Sequence, residues 1–348
     1  MRPNYRHPLV SVSILTYNGE HLPYNSQKYI ENCLGSVFAQ TYPYLEVIII
    51  DNNSIERTKD YLKKISDKFK VRSFFNSSNL GLCVGYNQGI KKSKGEYVLC
   101  LNQDAVLDKN FISRAVESFN KDSQIATIQG KLMQEEGKKI DTTGLMMLKT
   151  RRVISRGQGQ TDKGQFEKQE EIFGADGAAP IYRRKALEDI KLVFKRNDQW
   201  EEEYLDEDFF MYKDDVDLAW RMRLYGWKTV YQPKCLAWHS RTSGESASLN
   251  YFDIIRERRK IGGFAKYFSF KNHRLVLIKN DQLQLLIKHL PWFLFNEIGA
   301  WGYALLFERR TWQAIRKLFQ QAPLAWQKRK IIMTKKRVEP REIARWFN

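Results

Sequence analysis

The stretch LEVIIIDNNS, residues 45–54, decides the reading of the fold. Its apolar run shows no polar alternation, and a strand of that kind is normally covered on both faces, as the strands of a parallel sheet are. The run closes on Asp51, followed by Asn52, Asn53 and Ser54, which places a polar cluster at the carboxyl tip of the strand. On its N-terminal side LVSVSILT (9–16) reads as a first strand running into the loop Tyr17-Asn18-Gly19. Residues 26–40 then set Tyr29, Ile30, Cys33, Leu34 and Val37 at helical spacing before Tyr42-Pro43 ends the helix. On its C-terminal side a helix fits 56–69, VRSFFN (71–76) a third strand, 84–92 another helix, and EYVLCLNQD (96–104) a fourth strand, apolar until it ends in Asp104. Strand and helix in alternation predict an α/β fold with a mostly parallel sheet. Ligands of such sheets bind beyond the carboxyl ends of the strands. The polar clusters at 16–18, 51–54 and 102–104 therefore converge on one edge.

The remaining chain gives coarser signals. Residues 130–170, rich in Gly, Lys, Gln and Glu, show weak periodicity and read as an irregular excursion or flexible loop. FGADGAAPIYRR (173–184) reads as a Gly/Ala-rich turn, a short strand and a basic helix start. In 204–225 an acidic opening leads into a helix whose buried face is Val216, Leu218, Ala219, Met222 and Leu224, and WKTVYQPKCLAWH (227–239) reads as a strand ending at His239. Long helical segments dense in Arg, Lys, Trp, Phe and Leu follow, which divides the chain into an α/β unit, 1–245, and a basic, aromatic-rich helical region, 246–348. The longest uncharged stretches there, 289–296 and 298–307, fall short of the roughly 20 residues that span a bilayer. The sequence contains no internal repeat.

Of the 348 residues 43% are hydrophobic and 28% charged, the balance of a folded chain rather than a disordered one, and the net charge is +18. Such an excess favours an anionic partner, whether nucleic acid, an acidic membrane leaflet or a phosphorylated ligand. Residues 309–348 hold twelve Lys and Arg against Glu339 and Glu342, so ten of the eighteen excess charges sit in that segment. Cys33, Cys83, Cys100 and Cys235 form no paired motif, which predicts reduced thiols in a cytosolic setting. The opening MRPNYRHP carries no long apolar stretch and no cleavage site, so export is not expected.

Three constellations could carry chemistry. Asp51, at a strand tip, can accept hydrogen bonds from a ribose hydroxyl or a base N–H, or serve as a loop or helix-cap acid. Asp104 can hold a divalent cation that neutralises a diphosphate, or be a solvated strand-end acid. Asp206, Glu207, Asp208, Asp214, Asp215 and Asp217 are dense enough to repel one another. Those that open a helix are stabilised by its dipole, and one of them can act as general base toward a hydroxyl. His239 is either a ligand or a packed histidine.

In order, VSILTYN, VIIIDNNS, NLGLCVGYNQGI, YVLCLNQDAVLD, GADGAAPIYRR and FFMYKDDVDLAWRMRLYGWKTVYQPKCLAWH resemble the family 2 glycosyltransferases of the GT-A fold. Within them they are most similar to the bacterial rhamnosyltransferase-like and galactofuranosyltransferase-like branch. The resemblance runs over residues 9–243. It implies a Rossmann-like, mostly parallel central sheet flanked by helices, to which the composition beyond it adds a C-terminal helical membrane-associating region. It also implies that Thr16, Asn18 and Asp51 hold the nucleoside of a sugar nucleotide, with Asn79, Gly81 and Asn87 beside the donor. Asn102-Gln103-Asp104 takes the place of the family's D-x-D motif, Asp104 binding Mg²⁺ or Mn²⁺ with the help of His239. The first acid of that motif is here Asn102, which leaves Asp104 as its only carboxylate. Asp176 and Gly177 fall in the segment that lines the acceptor and donor-sugar region. Asp214-Asp215 matches the acidic pair that opens a helix, Asp215 being the base of an inverting, single-displacement transfer. The resemblance points to L-rhamnose from dTDP-rhamnose, or to galactofuranose, glucose or N-acetylglucosamine from a UDP donor. The implied acceptor is a lipid-linked (polyprenyl diphosphate) saccharide in cell-surface polysaccharide synthesis.

The C-terminal region bears on the partner. Trp312, Ile315, Leu318 and Phe319 are expected on one helix face with Arg309, Arg310, Arg316 and Lys317 elsewhere. That is the composition of a helix lying in an anionic membrane interface, or of one packing on the α/β unit with its basic groups solvated. An enzyme acting on a lipid-linked acceptor would then sit peripherally on the cytoplasmic face of the cell membrane. No helix-turn-helix, zinc finger or RNP signature accompanies the charge, so nucleic acid is not the expected partner. The alternatives of another class are a basic nucleic-acid-binding protein and a catalytically inactive scaffold.

Overall fold

The structure is a computed structural model that describes residues 7–18, 26–55, 58–69, 71–134, 137–240 and 247–348. Gly19 of the expected first loop and the boundary expected at 245/246 lie outside the described residues. Val10–Thr16 (β1), Leu45–Asp51 (β2), Arg72–Phe75 (β3) and Tyr97–Asn102 (β4) run parallel in the spatial order β4-β1-β2-β3. Ser26–Phe38 (α1), Thr58–Phe69 (α2) and Leu82–Lys92 (α3) connect them, as the alternation predicts. Ile48, Ile49 and Ile50 are wholly buried, the condition an unalternated apolar run requires. Because β1 has β2 on one side and β4 on the other, the winding reverses between β1 and β4, and a ligand crevice belongs at such a reversal. Register sets Thr16 opposite Asp51 and Leu15 opposite Asn102, so three polar strand tips stand side by side.

Beyond β4 the sheet is mixed. Ala105–Leu107 (β5), Phe111–Phe119 (α4), Ile125–Gln134 (β6), Ile140–Thr142 (β7), Leu145–Met147 (β8), Val153–Ser155 (β9), Glu170–Ile172 (β10) and Ile181–Arg183 (β11) follow. After them come Arg184–Ile190 (α5), the hairpin of Leu192–Arg196 (β12) and Gln199–Glu203 (β13), a short 3₁₀ turn at Glu207–Phe209, Asp214–Leu224 (α6) and Lys228–His239 (β14). The main path is β10-β14-β6-β11-β4-β1-β2-β3, with β5 paired to β14 and β7 to β6.

Residues 130–170 are only in part the irregular excursion expected of them, with mostly turns and bends over 156–169. They complete β6, whose Gln129 and Lys131 are buried, and form β7 to β10. Each of those four strands is three residues long, too short to display a period of two. The Lys131 charge is answered by Asp162 at 2.9 Å and by Glu167.

Tyr251–Lys260 (α7), Gly263–Asn280 (α8), Leu283–Lys288 (α9), Leu290–Phe307 (α10), Arg309–Lys335 (α11) and Pro340–Ala344 (α12) make up the helical region. None of the described helices is long and apolar enough to cross a membrane. α8 and α11 pack together, and Leu275, Val276, Leu318, Ala325, Ile332 and Phe347 join the same apolar cluster as Leu205, Phe209, Trp220 and Leu224. Leu318 is buried whereas Trp312 and Phe319 are 56% and 67% exposed, so the four residues expected on one face are split. At about 3.6 residues per turn, Thr311, Ala314, Leu318, Ala325, Lys328 and Ile332 align as a buried stripe. Trp312, Phe319 and Trp326, seven positions apart, align as a second stripe that faces outward.

Candidate active site

At the tips of β1 and β2 the Asp51 side chain is wholly buried. Its Oδ1 accepts the Thr16 hydroxyl at 2.9 Å and the Ser54 hydroxyl at 2.6 Å, and its Oδ2 accepts the Ser54 N–H at 3.0 Å. Asn18, left-handed at φ 42°, donates its N–H to Ser54 Oγ and accepts the Ile55 N–H. Thr16, Asn18 and Asp51 are thus one bonded unit. Asp51 uses three of the roughly four acceptor positions of a carboxylate, which leaves capacity for a ligand.

Asn79 accepts the Gly81 N–H at 3.0 Å. Gly81 has φ +88°, and a Cβ there would stand 2.5 Å from the Phe210 ring, so glycine is required between α3 and that segment. Asn87 spends its whole amide on the chain at 204–207. Its Nδ2 donates to Leu205 O and Glu207 Oε1 while its Oδ1 accepts the Tyr204 and Leu205 N–H groups. It braces that chain and has no polar capacity left for a donor. Gln103 bonds in both directions with the Tyr17 backbone, at 3.2 and 3.1 Å, and Asn102 Oδ1 accepts the Tyr86 hydroxyl at 2.8 Å.

A cavity of about 270 Å³ is lined by Asn102, Asp104, Asp176, Gly177, Asp214, Asp215 and His239. It unites seven of the residues singled out in the sequence, from four separate segments. Thr16, Asn18, Asp51, Asn79, Gly81, Asn87 and Gln103 stand outside its lining. β5 pairs with β14 so that His239 lies opposite Ala105, and this carries Asp104 to the ring. His239 Nε2 is 3.5 Å from Asp104 Oδ1, and Nδ1 is 2.9 Å from Asp141 Oδ2. Burial alone would lower the imidazole pKa, but the hydrogen bonds and charges of Asp104 and Asp141 outweigh it and push it up to about 10.

A carboxylate behind a histidine fixes its tautomer and aims the other nitrogen, a common arrangement beside a metal. Asp141, wholly buried on β7, has that position. Sequence reasoning missed it because β7 lies in the stretch without periodicity. The Asp104 carboxylate suits a hard divalent ion such as Mg²⁺ or Mn²⁺, and His239 would join it as a ligand only on giving up the proton that Asp104 and Asp141 hold on its ring. Among the described residues no group of three or more His, Cys, Asp or Glu is arranged to hold a metal ion by itself, so a cation at Asp104 would complete its shell with phosphate oxygens and water.

Asp214 and Asp215 open α6, Asp214 buried and Asp215 half-buried in the cavity wall. Burial, followed by the Asp215 charge and those of Asp217 and Asp176, pushes the Asp214 carboxyl up to about 8. The expected stabilisation by the helix dipole is therefore overridden at Asp214 by the loss of water. Asp215 Oδ1 accepts the Val216 N–H at 2.8 Å, and a Cβ at Gly177 would lie 3.7 Å from its Cβ. Asp176 Oδ1 accepts the Ala178 N–H at 3.2 Å, and its own N–H donates to Gln129 Oε1 at 2.7 Å.

The backbone leading into α6 is strained. Phe210, Tyr212 and Lys213 take φ of 64°, 69° and 67°, a region that bulky residues rarely adopt. Asn272 of α8 holds it, sharing its Nδ2 hydrogens among the carbonyls of Phe209, Met211 and Tyr212 at 2.9, 2.8 and 2.8 Å. Below this clamp Lys279 meets Asp206 at 2.5 Å and Asp217 at 2.9 Å, and Lys328 meets Asp206 at 2.6 Å and Glu203 at 2.7 Å. Burial works to raise the Asp206 pKa, yet the two lysines hold it far below the usual carboxylate range. Burial and the Asp206 charge push Glu203 up to about 7 against the same lysines. Neither lysine nor Asn272 carries a local sequence signal of this role.

The glycosyl transferase family 2 profile matches residues 11–191, more than half of the chain, and the chain belongs to that family. Poly-beta-1,6-N-acetyl-D-glucosamine synthase of Staphylococcus epidermidis is 23% identical over 219 residues, which cover 62% of this chain and 47% of the relative. The Staphylococcus aureus enzyme of the same name is 25% identical over 219 residues, with the same coverage of 62% and 47%. The chain spans about half the length of the curated relatives it matches. The crystal structure of S. aureus TarS superposes with a TM-score of 0.55 at 17% identity, over 94% of this chain and 55% of that one. A shorter form of TarS in complex with UDP-GlcNAc gives 0.54 at 17% identity, over 94% and 89%. The mannosyltransferase PcManGT from Pyrobaculum calidifontis, in complex with GDP-Man and Mn²⁺, gives 0.52 at 16% identity, over 96% and 86%. These likenesses fix a GT-A-like α/β fold, and they do not single out the rhamnosyl or galactofuranosyl branch to which the motifs are similar.

Proposed function

We propose that the chain is an inverting, metal-assisted hexosyltransferase. It moves N-acetylglucosamine from a UDP donor to a hydroxyl of a lipid-linked saccharide in cell-surface polysaccharide synthesis. The observation that carries this reading is the cavity in which Asp214 and Asp215 stand in one wall with Asp104 and His239. N-acetylglucosamine ranks ahead of rhamnose because the names of the synthase relatives and the TarS complex support it, whereas dTDP-rhamnose rests on motif resemblance alone.

Thr16, Asn18 and Asp51 hold the nucleoside at the strand tips. Mg²⁺ or Mn²⁺ held by Asp104 and His239 supplies, when bound, the positive charge that neutralises the departing diphosphate. Asp141 keeps the His239 ring aimed into the cavity. Asp214, largely protonated near neutral pH, leaves the part of base to Asp215. Asp215 takes the proton of the acceptor hydroxyl as its oxygen attacks the anomeric carbon from the face opposite the diphosphate, and one displacement inverts the configuration.

The outward stripe of α11, with Trp292, Phe295 and Ile298 of α10, offers apolar surface to a lipid interface. Of the twelve Lys and Arg after residue 308, Lys328 is buried and Arg337 and Arg345 pair with Asp189 and Glu171, which leaves at most nine to face anionic headgroups. On this basis we place the protein peripherally on the cytoplasmic face of the membrane.

A donor screen with UDP-, dTDP- and GDP-sugars, reading nucleoside diphosphate release, tests the reaction. UDP-N-acetylglucosamine is expected to give the highest rate, and EDTA to abolish it. Release from none of the donors overturns the reading, and preference for dTDP-rhamnose overturns the sugar. Flotation with anionic liposomes at low salt tests the membrane partner, which a protein left at the bottom of the gradient excludes.

A further inference from the structure

Between α7, α8 and α10 lies a second cavity of about 210 Å³. Ile254, Ile261, Phe270 and Tyr303 give it apolar walls. Lys213 and Ser269 line both this cavity and the catalytic one, so the apolar slot meets the reaction chamber two residues from Asp215. Its charged lining is mostly cationic, with Arg152, Lys213, Arg258 and Arg274 against the single acid Glu297, which Arg274 meets at 3.0 Å. Arg152 is fixed by donating to Ser248 O at 3.1 Å, and Arg258 grips Glu308 at 3.0 and 2.7 Å. The slot also connects to the outer apolar surface. Tyr251, in its lining, packs edge-on against Phe295 of α10 at 5.5 Å, and Phe252 and Phe295 are 85% and 67% exposed.

We propose that this cavity is the aglycone site of the acceptor. It takes the first part of a branched hydrocarbon chain and the phosphate that joins it to sugar, while the saccharide passes Lys213 and Ser269 to reach Asp215. Apolar walls suit the chain, the excess of cations suits the phosphate, and the shared wall sets the linkage beside the base. The inference rests on the glycosyltransferase reading and names where its acceptor is held.

The test compares the full chain with Gly299→Leu. Gly299 lines the slot within α10, and a Cβ built there meets nothing within 4 Å. Leucine therefore adds bulk at the wall of the slot without a backbone clash, and it favours the helix. Calorimetry measures binding of farnesyl diphosphate, with inorganic diphosphate and farnesol as controls. A transfer assay measures the rate ratio between a prenyl-diphosphate-linked saccharide and the same saccharide as a methyl glycoside. Farnesyl diphosphate is expected to bind the native chain more tightly than either control, and Gly299→Leu to weaken it about tenfold and to lower the rate ratio by a similar factor. Binding no tighter than that of inorganic diphosphate, binding unchanged by Gly299→Leu, or an unchanged rate ratio overturns the proposal. The calorimetry needs no donor, so its outcome is separate from failure of the glycosyltransferase reading, which shows as no nucleoside diphosphate release from any donor.

Discussion

The tips of β1 and β2 and the segment that leads into α6 bring acids to the same sheet edge, and they stabilise those acids in opposite ways. Asp51 is satisfied by two hydroxyls and one amide from the adjacent strand and its own loop. Asp206 is satisfied by two buried lysines that lie 73 and 122 positions further along the chain. The edge at the strand tips is therefore a local product of the α/β unit. The segment that presents Asp215, the base we propose, is a joint product of that unit and the C-terminal helices, down to the left-handed backbone that Asn272 holds in place.

The largest effect expected on chemistry is at Asp215. Asp215→Asn should lose about 10² to 10⁴ in turnover while donor binding and melting temperature stay near those of the parent, since the change removes a base and keeps an oxygen to accept the Val216 N–H. Initial rates beside donor calorimetry decide it, and near-parental turnover removes Asp215 from the mechanism. Lys328→Met reverses the pattern. It removes the buried ammonium that Glu203 and Asp206 share and leaves Asp206 to Lys279 alone, at a cost of about 3 to 5 kcal/mol in unfolding free energy measured by urea titration. A loss under about 1 kcal/mol would mean that the helices merely rest on the α/β unit.

Asn272→Leu tests the clamp itself. With three carbonyls left without their shared partner, the base shifts and kcat falls by about 10²-fold, while the affinity for donor, held at the strand tips, is kept. A fall confined to donor affinity would put the clamp in the wrong half of the site. The smallest effect is a pH dependence at Asp214. Its carboxyl holds a proton in the folded chain up to about 8 but loses it near 4 when unfolded, so its contribution to stability is present at low pH and is lost as pH rises between those values. Asp214→Asn should match the parent near pH 4 and melt about 1 to 4 °C higher at pH 9, and an equal melting temperature at both pH values would show that the proton is not held.

Much of the edge at the strand tips was legible because its cues are local. An unalternated run such as Ile48-Ile49-Ile50 declares a covered strand, and an acid closing it declares the edge. Three-residue strands carry no period, so β7 and with it Asp141 were hidden. The exposed and buried stripes of α11 differ by a single position at their start, Thr311 against Trp312, which composition cannot resolve and packing does. Lys328 counted in the sequence as one more charge for an anionic surface. Only the fold shows that its ammonium is spent inside the molecule, because nothing near it in the chain is acidic.

The separation of Lys328 from Asp206 also sets an order in time. At a synthesis rate of about 5 to 20 residues per second, the 122 positions between them take about 6 to 24 s to make. The nascent chain thus completes the strand tips around Asp51 well before the segment leading into α6 can lock, and the first of these can fold while the second waits for α11 to leave the ribosome.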